Sequence, residues 1–215
     1  MHRPKGLCIF FVRIWFLLIK LRYLIMKHIL LILLAIFVTG SQLSAQESYK
    51  EEVTWMGLDF THAKLINRTA FTNSRVIKDS YLTKWNNIIF NEPKKFNISK
   101  YFGIRSVKFD ISEVTDRNSK IKHQSLVVDH ADKLLQKDEI KEIIAQYPKA
   151  EGVGLLLLVE SFNKNNTTGT YWACFFNRAT SEVLSVQKIA GHAKGIGIRN
   201  YWANSLYQAM KRYDN

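Results

Sequence analysis

Apolar residues recur after residue 52 with two spacings, one typical of strands and one typical of helices. Alternate residues are apolar in residues 53–60, which predicts a strand with one buried face. Residues 106–114 show the same alternation and predict a second strand, with Val107, Phe109 and Ile111 facing the core. Each of these two strands is therefore expected to bury one face against a core.

Residues 80–90 and 138–147 carry apolar side chains three or four positions apart, which predicts two amphipathic helices. We expect Ser80 to cap the first helix, because a serine oxygen accepts hydrogen bonds from the free backbone N–H groups of a helix start. The polar residues 116–119 predict a turn between the second strand and the second helix.

The last third of the chain has the clearest pattern. Residues 152–162 are apolar on both faces, which predicts a central strand covered on both sides. Residues 170–177 and 182–190 predict two further strands joined by hairpins, and a glycine-rich loop then leads into a terminal helix. The order β-α-β-α-β-β-β-α predicts a single α+β domain in which helices pack on a mixed sheet.

Three segments give the chain a resemblance to a known family: Leu58-Asp59-Phe60 at the end of a strand, Gly152 to Leu158, and the hairpin return from Phe176 to Val183. In this order they resemble the amino-terminal domain of Tol-Pal translocation proteins and the periplasmic domain of curli-secretion lipoproteins. The resemblance implies a role in envelope assembly or binding and no catalytic residues. This chain departs from both in having no lipid-attachment cysteine and no following propeller.

A secretory signal is predicted at residues 26–45. Met26-Lys27-His28 is a short basic start, Ile29 to Val38 is an unbroken apolar run, and small and polar residues follow up to Ala45. Ten apolar residues are too few to span a bilayer, which needs about 20. We therefore expect cleavage before Gln46, and a periplasmic or secreted domain of residues 46–215 without a lipid anchor or a stable membrane span.

Residues 1–25 are predicted to be a gene-call extension, with translation starting at Met26. Their apolar stretch is interrupted by Arg13, Lys20 and Arg22, and each charge near a membrane centre costs about 2.5–3.5 kcal/mol. The alternative is an unusually long signal or membrane anchor that starts at Met1.

Charge and cysteine content narrow the possible partners. The chain has 31 Lys and Arg against 18 Asp and Glu, but six of the basic residues lie in residues 1–45, so residues 46–215 carry a net charge of +7. We expect no nucleic-acid partner, because no dense basic stripe is present, and an envelope protein or an anionic surface as the partner. Cys174 is the one cysteine after residue 45, which excludes an intramolecular disulfide there, and the oligomeric state is left open.

The loop at residues 191–200 is the best candidate for a binding site. It combines glycines with cations at the start of a helix, where backbone amides favour anions, but it matches no phosphate-binding motif. The candidate anion or ligand contacts are His192, Lys194, Gly195, Gly197, Arg199 and Asn200. We expect Asn200 to cap the terminal helix. The alternative interpretation is a tight connection with a solvated basic face.

Three other clusters are weaker candidates. Asp129-His130-Ala131-Asp132 with His123 resembles a metal site, but the pattern is more typical of a solvated helix start, so no metal is predicted. Cys174 alternates with Trp172 and Phe176, which predicts a buried and inert thiol. Asp110, Glu113 and Glu160 are the acids that a glycosidase could pair, and the sequence does not place them together.

The sequence predicts no catalytic residue and no cofactor. We therefore expect an exported, non-catalytic binding or envelope-assembly domain. Two alternatives stay open: a small enzyme that acts on an anionic or sugar substrate through residues 191–200, and a structural partner in a larger complex.

Overall fold

The computed structural model describes residues 26–27 and 49–214, and the domain below is the unit Tyr49–Asn215. The expected extension at residues 1–25 lies outside the described residues. So does the signal at residues 26–45, apart from Met26 and Lys27.

The described domain combines seven strands with short and long helices, which confirms the predicted α+β class. The strands are β1 (Glu52–Asp59), β2 (Lys64–Ile66), β3 (Ser106–Phe109), β4 (Val127–Val128), β5 (Val153–Asn163), β6 (Thr168–Asn177) and β7 (Val183–His192). The helices are α1 (Ser74–Val76), a π-helical segment (Ile77–Tyr81), α2 (Leu82–Asn91), α3 (Ile98–Phe102), α4 (Ser112–Ser119), α5 (His123–Leu126), a 3₁₀ turn (Lys137–Glu139), α6 (Ile140–Ala145) and α7 (Ile198–Met210).

Strand β5 is the centre of one mixed sheet. On one side it pairs in parallel with β1 and then with β2, and on the other side it begins the antiparallel series β5-β6-β7. Strands β3 and β4 pair in parallel with the outer edges of β1 and β2. Strands β1 and β2 thus follow one another along β5, because Asp59 pairs with Leu158 and Lys64 pairs with Ser161. Residues 60–63 form a break in this line of strands.

Each face of the sheet is covered by its own apolar layer, which confirms the prediction of a central strand buried on both sides. Helices α2 and α7 contribute Trp85 and Trp202 to the larger layer, where the Trp202 ring stacks on Phe162 at a centroid distance of 4.5 Å. The smaller layer on the opposite face contains the buried isoleucines of α6. Because both faces of the sheet are covered by apolar side chains, polar side chains lie mainly at the ends of the strands.

The second predicted strand is shorter than expected, and Phe109 does not face the core. Strand β3 is an edge strand of four residues, and Phe109 is half-exposed with its ring against the half-exposed Phe90 of α2. Alternation predicts two faces, but it does not show whether another segment covers a face, and among the described residues none covers Phe109 fully.

The polar residues predicted as a turn at 116–119 belong to helix α4. The Asp110 side chain ends the strand early, because its Oδ1 accepts hydrogen bonds from the Ser112 backbone N–H (3.1 Å) and hydroxyl (2.6 Å). Such a local bond favours a helix start over a continuing strand.

The first predicted helix begins earlier than expected, and Ser80 does not cap it. Asn73 is the capping residue, because its side chain accepts a hydrogen bond from the Val76 N–H at 3.0 Å. Ser80 lies inside the π-helical segment that joins α1 to α2. Strands β2 and β4 and helices α3 and α5 were not predicted, because they are too short to show a period.

Candidate functional site

The predicted binding loop leaves the end of β7 and enters α7. His192 is the last residue of β7, and its Nδ1 lies 2.9 Å from the Thr167 hydroxyl. The next residue is anchored too, since the Ala193 N–H donates to the Thr167 carbonyl at 2.7 Å. The loop therefore departs from a fixed point on the sheet.

The basic side chains of this loop do not converge. Arg199 turns to Glu92, the C-cap residue just after α2, with its Nη2 3.2 Å from the Glu92 Oε1, and its Nη1 donates to the Asn200 Oδ1 at 2.8 Å. His192 bonds to Thr167, as described, and Lys194 extends into solvent. These three basic side chains therefore point to different partners, Thr167, solvent and Glu92.

Glycines, not asparagine, shape the start of the terminal helix. Gly195 and Gly197 have φ angles of +123° and +79°, which side chains rarely adopt, and Gly197 is the N-cap of α7. Asn200, predicted as the cap, lies within the first turn of α7. Among the described residues no side chain caps this helix, so its first N–H groups face the loop.

Between the two glycines, Ile196 is 93% exposed. Beside it runs a groove of about 290 Å³ whose lining includes both glycines. Most of the other lining is apolar or aromatic: Ala70, Phe71, Ile198, Tyr201 and Trp202. Lys164 also lines the groove, with its Nζ 3.6 Å from the centre of the Tyr201 ring. We call Ile196, Lys164, Lys194 and this groove the Ile196 face.

A second polar region lies at the break between β1 and β2, and sequence reasoning missed it as a site. Asp59 ends β1 with its side chain fully buried. Its Oδ2 accepts from the Arg117 Nε at 3.1 Å and from the Tyr147 hydroxyl at 2.5 Å. Its Oδ1 accepts from the Thr61 N–H and hydroxyl at 2.7 and 2.6 Å. We call these four residues the Asp59 cluster.

Electrostatics around the Asp59 cluster follow from burial and from its charges. Burial, followed by the negative charge of Asp59, raises the pKa of the Tyr147 hydroxyl far above its ordinary value, so this hydroxyl stays a hydrogen-bond donor. The Arg117 guanidinium lies 4.6 Å from the centre of the Tyr147 ring. Partial burial lowers the pKa of the neighbouring His62 even though the residue reaches the surface, and Asp59 opposes this shift.

Two buried asparagines complete the same break. The Asn86 side chain accepts from the Leu58 N–H (2.7 Å) and donates to the Leu58 carbonyl (3.0 Å). Asn118 donates to the same carbonyl (2.9 Å) and accepts from the Phe60 N–H (2.8 Å). They replace the hydrogen bonds of a missing strand, because β3 ends before this point and β4 begins after it. Gly57 makes room for them, since a Cβ there would lie 2.6 Å from the Asn86 Oδ1.

The break between β1 and β2 lies where many α/β sheets bind a ligand, but here the chain's own residues occupy it. Strand β1 lies between β3 and β5 in the sheet. The chain therefore crosses to one side of β1 to form β3 and later to the other side to form β5. In open α/β sheets ligands bind at such a point, outside the carboxyl ends of the strands. Here β5 continues to Asn163 and pairs with β2, and the acceptor atoms of Asp59 are engaged by the chain itself. The Asp59 cluster is therefore a structural network.

A cavity of about 160 Å³ lies between α2 and α4, next to these asparagines. Its lining is mostly polar and includes Asn86, Asn118, Thr83 and Thr115. The two buried amides in this lining are already bonded to the backbone of residues 58–60, so they do not offer free ligand contacts.

The remaining candidates from the sequence form no shared site. Glu160 is buried and accepts from the Trp172 Nε1 (3.0 Å) and the Lys188 Nζ (2.7 Å). Cys174 is fully buried, as predicted, and burial raises the pKa of its thiol, which makes it a poor nucleophile.

The metal-like cluster is dispersed as well. His123 Nδ1 lies 3.0 Å from the Ser74 hydroxyl, and Asp129 pairs with Arg68 at 3.3 Å. Within residues 26–27 and 49–214 no three His, Cys, Asp or Glu side chains are grouped so that they could hold a metal ion.

The chain matches no protein-family model, no curated protein and no solved structure. The resemblance to the Tol-Pal and curli-secretion domains therefore stays a hypothesis. Across the part of the chain that the structure describes, no helix is long and apolar enough to cross a membrane.

Proposed function

We propose that this chain is an exported, non-catalytic binding domain that contacts a component of the cell envelope through the Ile196 face. Export is supported by the basic start, apolar run and small-residue end of residues 26–45. The binding role is supported by the surface described above.

The observation that carries the proposal is the exposure of Ile196. A single exposed apolar residue is common on protein surfaces. Ile196 differs because it lies between Gly195 and Gly197 at the tip of a loop whose base is tied to the sheet at Thr167. It also adjoins a groove whose lining includes the partly buried Tyr201 ring. An exposed aliphatic side chain beside such a groove can contact another surface.

Export is tested by the mass of the protein isolated from the cells that make it. Cleavage before Gln46 gives a mature chain of residues 46–215. A chain that retains residues 26–45, or that begins at Met1, would contradict this part of the proposal.

Binding is tested by co-sedimentation with an envelope fraction from the producing cells. We expect the protein to sediment with the fraction and Ile196→Ser to reduce the bound share. The matched control is Leu184→Ser, which removes a partly exposed leucine near the opposite end of β7. If Ile196→Ser and Leu184→Ser bind equally well, the Ile196 face is not the contact surface.

A further inference from the structure

The Ile196 face has the chemistry of a surface that contacts anionic lipid, and we propose that it binds the surface of an anionic membrane, with Ile196 inserted between the lipids. This inference rests on the proposed function, because it names the envelope component that the Ile196 face contacts.

The shape of the loop suits insertion. Neither neighbour of Ile196 has a side chain, so the isoleucine projects without lateral cover. Both glycines have positive φ angles, and His192 and Ala193 fix the base of the loop to Thr167. An aliphatic tip on such an anchored loop can enter the boundary between headgroups and acyl chains.

The charges of the face select an anionic partner. Lys164 lies in the groove against Tyr201, and the exposed Lys194 stands two residues before Ile196. Among the described residues no ion pair includes either lysine, and Glu92, an acid that the loop contacts, is paired with Arg199 at 3.2 Å. Each lysine near an anionic membrane surface adds about 1 kcal/mol of attraction, and a tyrosine ring beside an apolar tip suits the boundary between water and lipid.

The partly buried Tyr201 adds a marker of depth. Tyrosine rings favour the boundary between water and lipid because one end is apolar and the hydroxyl is polar. Tyr201 lines the groove next to the insertion point, and the Trp202 ring contacts it at a centroid distance of 5.2 Å. Lipid binding at this place would therefore change the surroundings of an aromatic pair.

The test uses the purified protein and vesicles of two compositions: equal amounts of phosphatidylglycerol and phosphatidylcholine, and phosphatidylcholine alone. We expect binding to the anionic vesicles and little to the neutral ones, with affinity falling as salt is raised because the charges are screened. Ile196→Ser should weaken binding about tenfold or more, because the transfer of an isoleucine side chain out of water is lost.

A charge variant separates the two contributions. Lys164→Gln with Lys194→Gln should weaken binding several-fold and remove most of its salt dependence. The matched controls are Leu184→Ser for apolar loss and Lys141→Gln for charge loss, since Lys141 is an exposed residue of α6 on the other face of the sheet. Both controls should bind like the unchanged protein.

Two outcomes would overturn the lipid inference: equal binding to both vesicle compositions, or unchanged binding by Ile196→Ser. If vesicles do not bind but the envelope fraction still binds in an Ile196-dependent manner, the partner is an envelope component other than an anionic lipid surface. The proposed function then stands, and the lipid inference is wrong. If Ile196→Ser changes neither assay, both are wrong.

Discussion

The Asp59 cluster and the Ile196 face both lie where the regular sheet is interrupted. Each contains a residue in an unusual environment, and the two environments are opposite. Asp59 is a charge placed inside the protein, and four donors from three residues surround its two oxygens. Ile196 is an apolar side chain that is 93% exposed, and no described residue covers it.

This difference separates a structural feature from a contact feature. A buried carboxylate is tolerated only when the protein itself supplies its hydrogen bonds, so its neighbours are committed to the fold. An exposed isoleucine forgoes about 1.5–3 kcal/mol of burial that another surface can supply. The charged cluster at the sheet end therefore concerns stability, and the apolar loop tip concerns binding.

The largest expected effect is on the Asp59 side of the comparison. Asp59→Asn removes the negative charge that Arg117 and Tyr147 face, and leaves the Arg117 guanidinium without its buried partner. We expect a loss of about 3–5 kcal/mol in the free energy of unfolding. Denaturant unfolding measures it.

The control for this variant is Asp129→Asn, which breaks the exposed ion pair with Arg68. It should change stability by less than about 1 kcal/mol, because exposed pairs contribute little. Equal effects of the two substitutions would mean that the Asp59 cluster is not the structural network described here.

A smaller loss of stability is expected when β1 loses the hydrogen bonds that the Asn86 amide supplies in place of a neighbouring strand. Asn86→Ala leaves the Leu58 N–H buried without its acceptor, at a cost of about 1–3 kcal/mol. Asn87→Ala, on the adjacent position of α2, should change stability by less than about 0.5 kcal/mol. Denaturant unfolding of both variants compares the two losses. A larger loss for Asn86→Ala shows that the effect comes from the amide and not from the position in the helix.

A still smaller effect is expected from pH. The folded state lowers the pKa of His62 below 6.5, mainly through partial burial, so below this pH the unfolded chain binds the extra proton more readily. The contribution of His62 is thus fully present above pH 6.5 and is lost as the pH falls through the folded-state value. His62→Gln should flatten this part of the stability profile in thermal unfolding. A profile unchanged by the substitution would show that His62 does not titrate in this way.

The smallest effect on stability is expected at the Ile196 face. Ile196→Ser should shift the free energy of unfolding by less than about 0.5 kcal/mol, because the side chain is already in water. Thermal unfolding of both proteins checks this. A large loss would mean that Ile196 packs against the domain, and the contrast with Asp59 would disappear.

Strongly periodic parts of the fold were predictable. The apolar run of β5, the hairpins of β6 and β7, and the apolar stripe of α7 follow from local patterns, because a buried face must repeat with the period of its element. The burial of Cys174 followed from the same reasoning. Residues 112–114 were misassigned to a strand and residues 116–119 to a turn. Their helix depends on the two hydrogen bonds that Asp110 accepts from Ser112 and on Val114 in the core, not on a long stripe.

The Ile196 face and the Asp59 cluster could be predicted from the sequence to different degrees. The loop at residues 191–200 was recognised from its glycines and cations, but its cations were expected to matter more than Ile196. The Asp59 cluster was not recognised, because Asp59, Arg117 and Tyr147 are up to 88 positions apart along the chain. A lone aspartate at a strand end gives no local signal of its partners.

The sequence by itself determined the class of fold, the central buried strand, the net charge of residues 46–215 and the expectation of export, because each depends on composition or on short-range periodicity. Only the tertiary structure decided that Asp59 is neutralised from within, that Arg199 turns away to Glu92, and that Ile196 is left in water. The physical reason is that burial and pairing depend on which distant segments meet. Local periodicity shows which side chains share a face, but not whether another segment covers that face.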